Sequence, residues 1–412
     1  MLSRASTDGV REQNRKLVLS ALRRRGALAH TDISVETALS SATVTTITQD
    51  LESEGAIERT PVPAASGRGR PKVLFRPRAA AAHVVIGKIS ADLVQLSLVN
   101  YSGTLIDRIE ERRPLPTAGT EAFLEILRGG LARLAGRSNL AASQVAAISL
   151  SSKGLVSAER PVMLWSPIFG DRRIDFAAAL SEYGNARILL SNETLLVAGA
   201  LYRALGGAAT GLRRPMATLS MGHSIGLGIV LPEPVGEPRL RAPNFGHMPH
   251  VPGGAMCRCG ARGCVEAYAG FYAILRTAFD VPETTIPAKF VPLAEIEKIA
   301  ATARAGNRRA QFAFRQAGTA LGSGLARLMS LFEPMPVIVT GPGAVHFDLM
   351  KEAVEDSLRQ AFVSRLATEV SVSALPDEEH LIFAGNVQLT LDDLDQNVIA
   401  ARGSAAMGKP AS

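Results

Sequence analysis

The three cysteines of the chain fall in one short segment, Met256-Cys257-Arg258-Cys259-Gly260-Ala261-Arg262-Gly263-Cys264, and two histidines, His247 and His250, stand just upstream. Three thiolates and one imidazole complete the tetrahedral shell that zinc prefers in a structural site. Gly260 and Gly263 let the backbone turn tightly enough to bring Cys259 and Cys264 onto one ion. Spacing alone leaves either histidine as the fourth ligand. The plainer alternative is three buried thiols with no ion, but nothing else in the chain uses cysteine. A disulfide framework fits worse. Cys257 and Cys259 are too close for an easy bridge, an odd count leaves one thiol over, and a chain of 412 residues needs no such staple. No secretory leader opens the sequence, and no apolar run reaches about 18 residues. The expected setting is therefore a reducing cytoplasm, with no membrane partner.

A chain of 412 residues, 47% hydrophobic and only 5% aromatic, is long enough for two or three domains with separate cores. Its net charge of +7 is uneven. Residues 1–80 hold 13 Lys and Arg against 8 Asp and Glu, so a surplus of 5 sits in the first fifth of the chain. A basic end on a near-neutral body suggests a polyanionic partner for that end alone.

The pattern of the first eighty residues names the polyanion. The spacing predicts a helix over Arg11 to Arg25, a second over about Asp32 to Thr37, and a third from Leu39 to Leu51 capped by Ser40 or Ser41. Val44, Ile47 and Leu51 face inward. Ser41, Ala42, Thr45, Thr46 and Gln49 are left on the outer face, small hydrogen-bonding side chains suited to a major groove. A strand follows at Glu54-Gly55-Ala56-Ile57, as in a winged helix-turn-helix. The wing would be Ser66-Gly67-Arg68-Gly69-Arg70-Pro71-Lys72-Val73-Leu74-Phe75-Arg76, and its Arg68 and Arg70 suit a narrow A/T-rich minor groove. Ala38 stands where the turn between the second and third helices usually has glycine. Pro61, Pro63, Pro77 and the alanines 79–82 mark a hinge to the body.

From His83 the pattern changes. Val84–Gly87 with Leu93–Val99, Val145–Leu150, Ala186–Leu190, Met216–Ser220 with Ile225–Leu231, and Val337–Thr340 read as strands, with helices between them. Two successive sets of this kind predict an α/β protein of two related lobes around a cleft.

At this point the residues resemble a known family. Gly246-His247 followed by Cys257-x-Cys259-Gly260-x-x-Gly263-Cys264-x-Glu266 resembles the zinc signature of the ROK family (repressors, open reading frames, kinases), and the winged-helix front is similar to its repressor branch. The resemblance implies an actin-like sugar-kinase fold behind the winged helix-turn-helix. It implies zinc held by His247, Cys257, Cys259 and Cys264, and a homodimer or homotetramer on a palindromic operator. It divides the chain into residues 1–80 (DNA-binding), 81–195 (first lobe, completed by a C-terminal helix at about 386–402) and 196–385 (second lobe with the zinc site). The stretch Ile382–Leu389 resembles the family's closing helix, and a small, polar tail begins at about Ala401.

Family kinases open the first lobe with an Asp-x-Gly-Gly-Thr turn for ATP phosphates. Here the matching stretch is Gly87-Lys88-Ile89-Ser90-Ala91-Asp92. The second phosphate loop, Gly-Thr-Gly-Ile-Gly in kinases, is Gly222-His223-Ser224-Ile225-Gly226, with His223 read as an ordinary loop histidine. Asn192-Glu193 replaces the Asn-Asp whose Asp acts as base, and a carboxylate displaced by about 1 Å can cost on the order of a hundredfold in rate. Phosphoryl transfer is therefore not expected, and no residue is assigned a catalytic role. The sugar site is expected at Asn192, Glu193, His247 and Glu266. Asn244 replaces a family Glu, and Ser166-Pro167-Ile168 replaces Ser-Pro-Asn, changes that would alter which ligand binds. Lys153 either attracts an anionic effector such as a sugar phosphate or is a solvated surface lysine. These features predict a sugar-responsive regulator, most simply a repressor. The alternatives are a sugar kinase with a DNA-binding extension and a repressor governed by a protein partner.

Overall fold

Two five-stranded sheets of one topology build the body. The computed structural model describes residues 7–61, 73–90, 92–113, 119–170, 172–206, 214–233, 238–360 and 370–399. In the first lobe, β3 (His83–Ile89), β4 (Leu93–Asn100) and β5 (Leu105–Arg112) form an antiparallel meander. Helix α4 (Thr120–Arg137) then leads to β6 (Val145–Ser152) and β7 (Arg187–Asn192), which add in parallel on the other side of β3. The order is β7-β6-β3-β4-β5. Every residue of β6 but Ala146 is buried, as a parallel strand covered on both faces must be.

Helix α5 (Glu193–Ala204) leads into the second lobe. There β8 (Met216–Met221), β9 (Ile225–Leu231) and β10 (Arg239–Arg241) repeat the meander. After helix α6 (Arg308–Leu331), β11 (Val337–Thr340) and β12 (Val372–Ala374) add in parallel beside β8. The order β10-β9-β8-β11-β12 is the first sheet's order in its own numbering. The two related lobes expected from the strand pattern are present. The second core is drawn largely from α6, whose Ala313, Ala317 and Leu321 lie buried at helical spacing. Gly318 and Gly322 admit the next helix, Lys351–Gln360, and the residue before it: a Cβ at Gly318 would lie 2.6 Å from Met350 O and one at Gly322 2.6 Å from Val354 O.

The head is three helices and a two-stranded ribbon: α1 (Thr7–Arg25), α2 (His30–Thr37), α3 (Ser41–Ser53), β1 (Ile57–Pro61) and β2 (Val73–Pro77). The first two helices start four and two residues earlier than the sequence suggested. Ser40 is the cap of α3, its side chain accepting from Thr43 N at 3.1 Å. Ala38 does the work of the missing glycine and takes the left-handed conformation, φ 56°.

The expected hinge is a single turn, Ala79–Ala81, and the head does not hang on a flexible linker. Val18, Leu22, Val44 and Leu51 of the head belong to one continuous apolar cluster with Val84, Val99, Tyr101, Leu391 and Leu394 of the body. The last two residues lie on α7 (Glu378–Leu394). That helix starts ahead of the expected 386 and crosses back onto the first lobe, where Ser149 Oγ donates to Asn386 at 2.6 Å. The tail from Ala401 lies outside the described residues.

Candidate functional site

The cysteine segment folds back on itself through two isolated bridges, Pro249 with Cys264 and Met256 with Arg262. Gly263 makes the turn possible: its φ is +80°, and a Cβ there would lie 1.7 Å from Val251 O. His247 enters from the short turn Phe245–His247. The result is a set of four ligand atoms, from His247, Cys257, Cys259 and Cys264, all within 4.8 Å of one another. His247 Nδ1 lies 3.6 Å from Cys257 Sγ, and Cys259 Sγ lies 3.8 Å from Cys264 Sγ. The second distance is far beyond a disulfide bond of about 2.05 Å. Burial pushes Cys264 up to about 11, and burial with the nearby Glu266 pushes Cys257 higher still. A cation would reverse both shifts by favouring the thiolates. The group can hold a metal ion. His250 takes no part: its ring lies edge-on to Tyr268 at 5.3 Å, outside the set.

His247 also lines an open cleft between the lobes. Its Nδ1 faces the sulfurs, so Nε2 is the nitrogen left for the cleft. Asn192, Glu266 and Lys153 line the same space. Glu266 is 1% exposed. Its Oε2 accepts from Ile225 N at 3.1 Å, while Oε1 is buried with no hydrogen-bond partner and lies 3.6 Å from Arg258 Nε. Asn192 is mostly committed to holding the backbone. Its Oδ1 accepts from Thr194 N and Thr194 Oγ1 at 2.8 and 2.7 Å, capping α5, and its Nδ2 donates to Gly154 O at 2.5 Å.

Glu193 does not line the cleft. As the first residue of α5 it is 2% exposed, and burial pushes its carboxyl up to about 7 against the pull of Lys153 and Lys88. Of the four residues expected to meet a ligand, Asn192, His247 and Glu266 line the cleft, and Glu193 is buried next to Asn192 without lining it. Lys153 is not a solvated surface lysine. Its side chain is 27% exposed and its Nζ lies 3.9 Å from Glu378 Oε2. Burial alone would lower its pKa, but Glu378, Glu193 and Glu379 outweigh it and hold the ammonium above its ordinary value.

The two loops that hold phosphates in kinases are otherwise engaged. Lys88 pairs with Glu379. His223 contacts Val291 O through Nε2 at 2.6 Å and stacks on Phe290 at 4.8 Å, and burial lowers it to about 4. Ile168 fills the Asn position with an apolar chain.

Three contributors escaped the sequence reading. Trp165, the one tryptophan of the chain, lines the cleft edge-on to His247 at 5.1 Å. Its rarity was the available signal. Arg258 sits inside the cysteine motif and packs over Tyr272 at 4.9 Å. Glu378 is remote in sequence from Lys153 and Thr340, the partners of its side chain, and gave no signal.

On the head, Ser41, Thr46 and Gln49 of α3 are exposed and Thr45 partly so. Thr45 and Thr46 donate their hydroxyl protons back to Ser41 O and Ala42 O, leaving oxygen lone pairs free to accept. Arg68 and Arg70, the expected wing arginines, lie outside the described residues. The strands β1 and β2 that would carry the wing pair in register, Pro61 with Val73.

The profile of the ROK family matches residues 91–392. The chain is 22% identical over 373 residues to the DNA-binding transcriptional repressor Mlc of Escherichia coli K12, covering 89% of this chain and 90% of that one. A glucokinase of Streptomyces coelicolor is 26% identical over 257 residues, 59% of this chain and 80% of its own length. Among solved structures, a ROK family transcriptional regulator described as a homologue of E. coli Mlc superposes with a TM-score of 0.72 at 21% identity, over 96% of this chain and 99% of that one. From residue 81 onward there are 412 − 80 = 332 residues, about four fifths of the chain, so the match to Mlc must take in part of the head, as the shorter kinase match need not. The motif, the paired lobes and the profile agree, and the chain belongs to the ROK family.

Proposed function

We propose that this protein is a sugar-responsive transcriptional regulator, a repressor that leaves or alters its grip on an operator when a sugar or sugar derivative enters the cleft. One observation carries the reading: a winged-helix head shares an apolar core with a two-lobed body whose cleft adjoins a three-cysteine, one-histidine centre. The head binds double-stranded DNA through phosphate charge, with Ser41, Thr45, Thr46 and Gln49 reading base edges and Arg68 and Arg70 entering an A/T-rich minor groove. Mlc is a repressor over nearly the same length. A palindromic operator and a homodimer or homotetramer follow from the same reading, because a two-fold protein matches a two-fold site.

The metal is zinc in this reading. Zinc–sulfur bonds of about 2.3 Å and zinc–nitrogen bonds of about 2.0 Å place tetrahedral sulfurs about 3.8 Å apart and sulfur about 3.5 Å from nitrogen. The separations of 3.8 and 3.6 Å between Cys259 and Cys264 and between Cys257 and His247 fit that shell. Bound zinc would hold the segment that presents His247 and Glu266, and so keep the ligand site in shape.

The chain is not an enzyme in this reading. Lys88 and His223 occupy loops that would need bare backbone for phosphate, and Glu193 is not in the cleft. The test has two arms. Selection from random duplex DNA should yield a two-fold site, and a panel of sugars and sugar derivatives should contain one that changes affinity for it. ATP-dependent phosphorylation of any sugar in the panel would overturn the reading in favour of a kinase. Specific DNA binding that no sugar changes would favour control by a protein partner.

A further inference from the structure

Lys153 extends from the end of β6 toward the opposite lobe. Its Nζ lies 4.0 Å from where a Cβ on Gly222 would stand. An ammonium has three donors, and among the described residues Lys153 Nζ has no hydrogen bond. Glu378 Oε2, at 3.9 Å, is an ion-pair partner only. Glu378 is itself divided, because its Oε1 accepts from Thr340 Oγ1 at 3.3 Å. The far side of the same cleft holds two buried polar atoms, Glu266 Oε1 and Ser220 Oγ, that make no hydrogen bond among the described residues. Arg258 at 3.6 Å offsets the charge of Glu266, whereas Lys153 faces Glu378 at 3.9 Å and its three donors meet no acceptor at hydrogen-bond distance among the described residues.

We propose that the cleft takes a sugar carrying an anion, a phosphate or a carboxylate, with Lys153 meeting the anion, Glu266 and Ser220 meeting hydroxyls, and the anion competing with Glu378 for Lys153. This rests on the sugar-sensing reading above and names the class of ligand for that site. A neutral hydroxyl can accept from an ammonium, but it does not compensate the desolvation that a filled cleft imposes on it; an anion does. The competition also ties the ligand to the fold, since Glu378 is the first residue of α7.

The test is calorimetric binding to the full-length, zinc-loaded protein. The probes are matched sets of glucose, xylose, mannose and galactose, each as the free sugar, the terminal phosphate and the aldonate, with inorganic phosphate alone as a further probe. One charged member should bind about tenfold or more tightly than its neutral parent, and that preference should shrink as salt rises. Phosphate and aldonate arms separate the two anions. Lys153→Met should abolish the preference, and Glu378→Gln should strengthen binding of the charged member severalfold relative to the neutral sugar. Equal binding of a sugar and its charged forms, or a preference that survives Lys153→Met, overturns the proposal and leaves sugar sensing intact. Binding of inorganic phosphate as tightly as any charged sugar also overturns it, because the hydroxyl contacts would then add nothing. No binding by any member removes the sugar-sensing reading and this proposal with it.

Discussion

Buried side chains set what the site can do. Cys264 is held near 11 by burial and is useful only to a cation. Cys264→Ser should therefore lower bound zinc from one equivalent toward none, measured by metal analysis, and lower the melting temperature, since metal binding stabilises the state that holds it. Retention of a full equivalent by Cys264→Ser would refute the ligand set. Glu193 is a separate case. Its folded value of about 7 lies above the ordinary 4.5, so the fold favours the protonated form. That contribution is complete below the ordinary value and is lost as pH rises through about 7, over a span worth on the order of 3 kcal/mol. Glu193→Gln should remove most of this slope and melt higher than the parent at pH 8, with little difference at pH 4. A parallel pair of stability–pH curves would show that Glu193 is not the group responsible. The four residues that can hold a metal ion were legible as a group in the sequence because such chemistry requires a local cluster. Whether Glu193 lines the cleft was not legible, because adjacency to Asn192 does not say which way a first-turn side chain points.

Among the elements, α7 joins the most distant parts. Its first residues meet two lysines of the first lobe, with Glu378 beside Lys153 of the cleft and Glu379 paired to Lys88. Just past its end, Asp395 forms a bidentate pair with Arg23 of α1 at 2.6 and 2.8 Å, and accepts from Tyr101 Oη at 2.5 Å. The Arg23 and Asp395 side chains are only 6% and 5% exposed, and the guanidinium lies 4.7 Å over the Tyr101 ring. Removing one partner of a buried pair leaves the other charge without compensation, at a cost of about 3–5 kcal/mol. Asp395→Ala should therefore lower thermal stability sharply, whereas replacing both residues by apolar ones of similar size should recover most of it. Melting curves of the single and double variants decide this, and a mild single variant would show the pair to be solvated. The strands and the helices of the head were readable from apolar period and caps. The reach of α7 was not, because a helix of mixed composition reveals its length only through partners that lie hundreds of residues away, such as Arg23 and Ser149.

In the whole molecule, the head and first lobe are one packed unit, so a change in the body can reach the DNA without a flexible linker to absorb it. Ligand and operator must then affect each other by the same factor if they favour different arrangements of the lobes. The cleft lies between the lobes, and α7 runs from it to the head, which makes the Arg23–Asp395 joint the place where that coupling can be cut. A variant with both residues replaced by apolar ones keeps the cleft intact and, by the argument above, keeps most of its stability. It should bind its ligand as the parent does and still bind the operator, but the ligand should shift operator affinity several-fold less. Gel-shift titrations with and without ligand, paired with ligand binding with and without operator, measure both halves of the cycle. An undiminished shift in the double variant would place the coupling elsewhere, in the lobes' own contacts with a second copy of the chain. A lost shift with both separate affinities preserved would locate it at the joint between α1 and the end of α7.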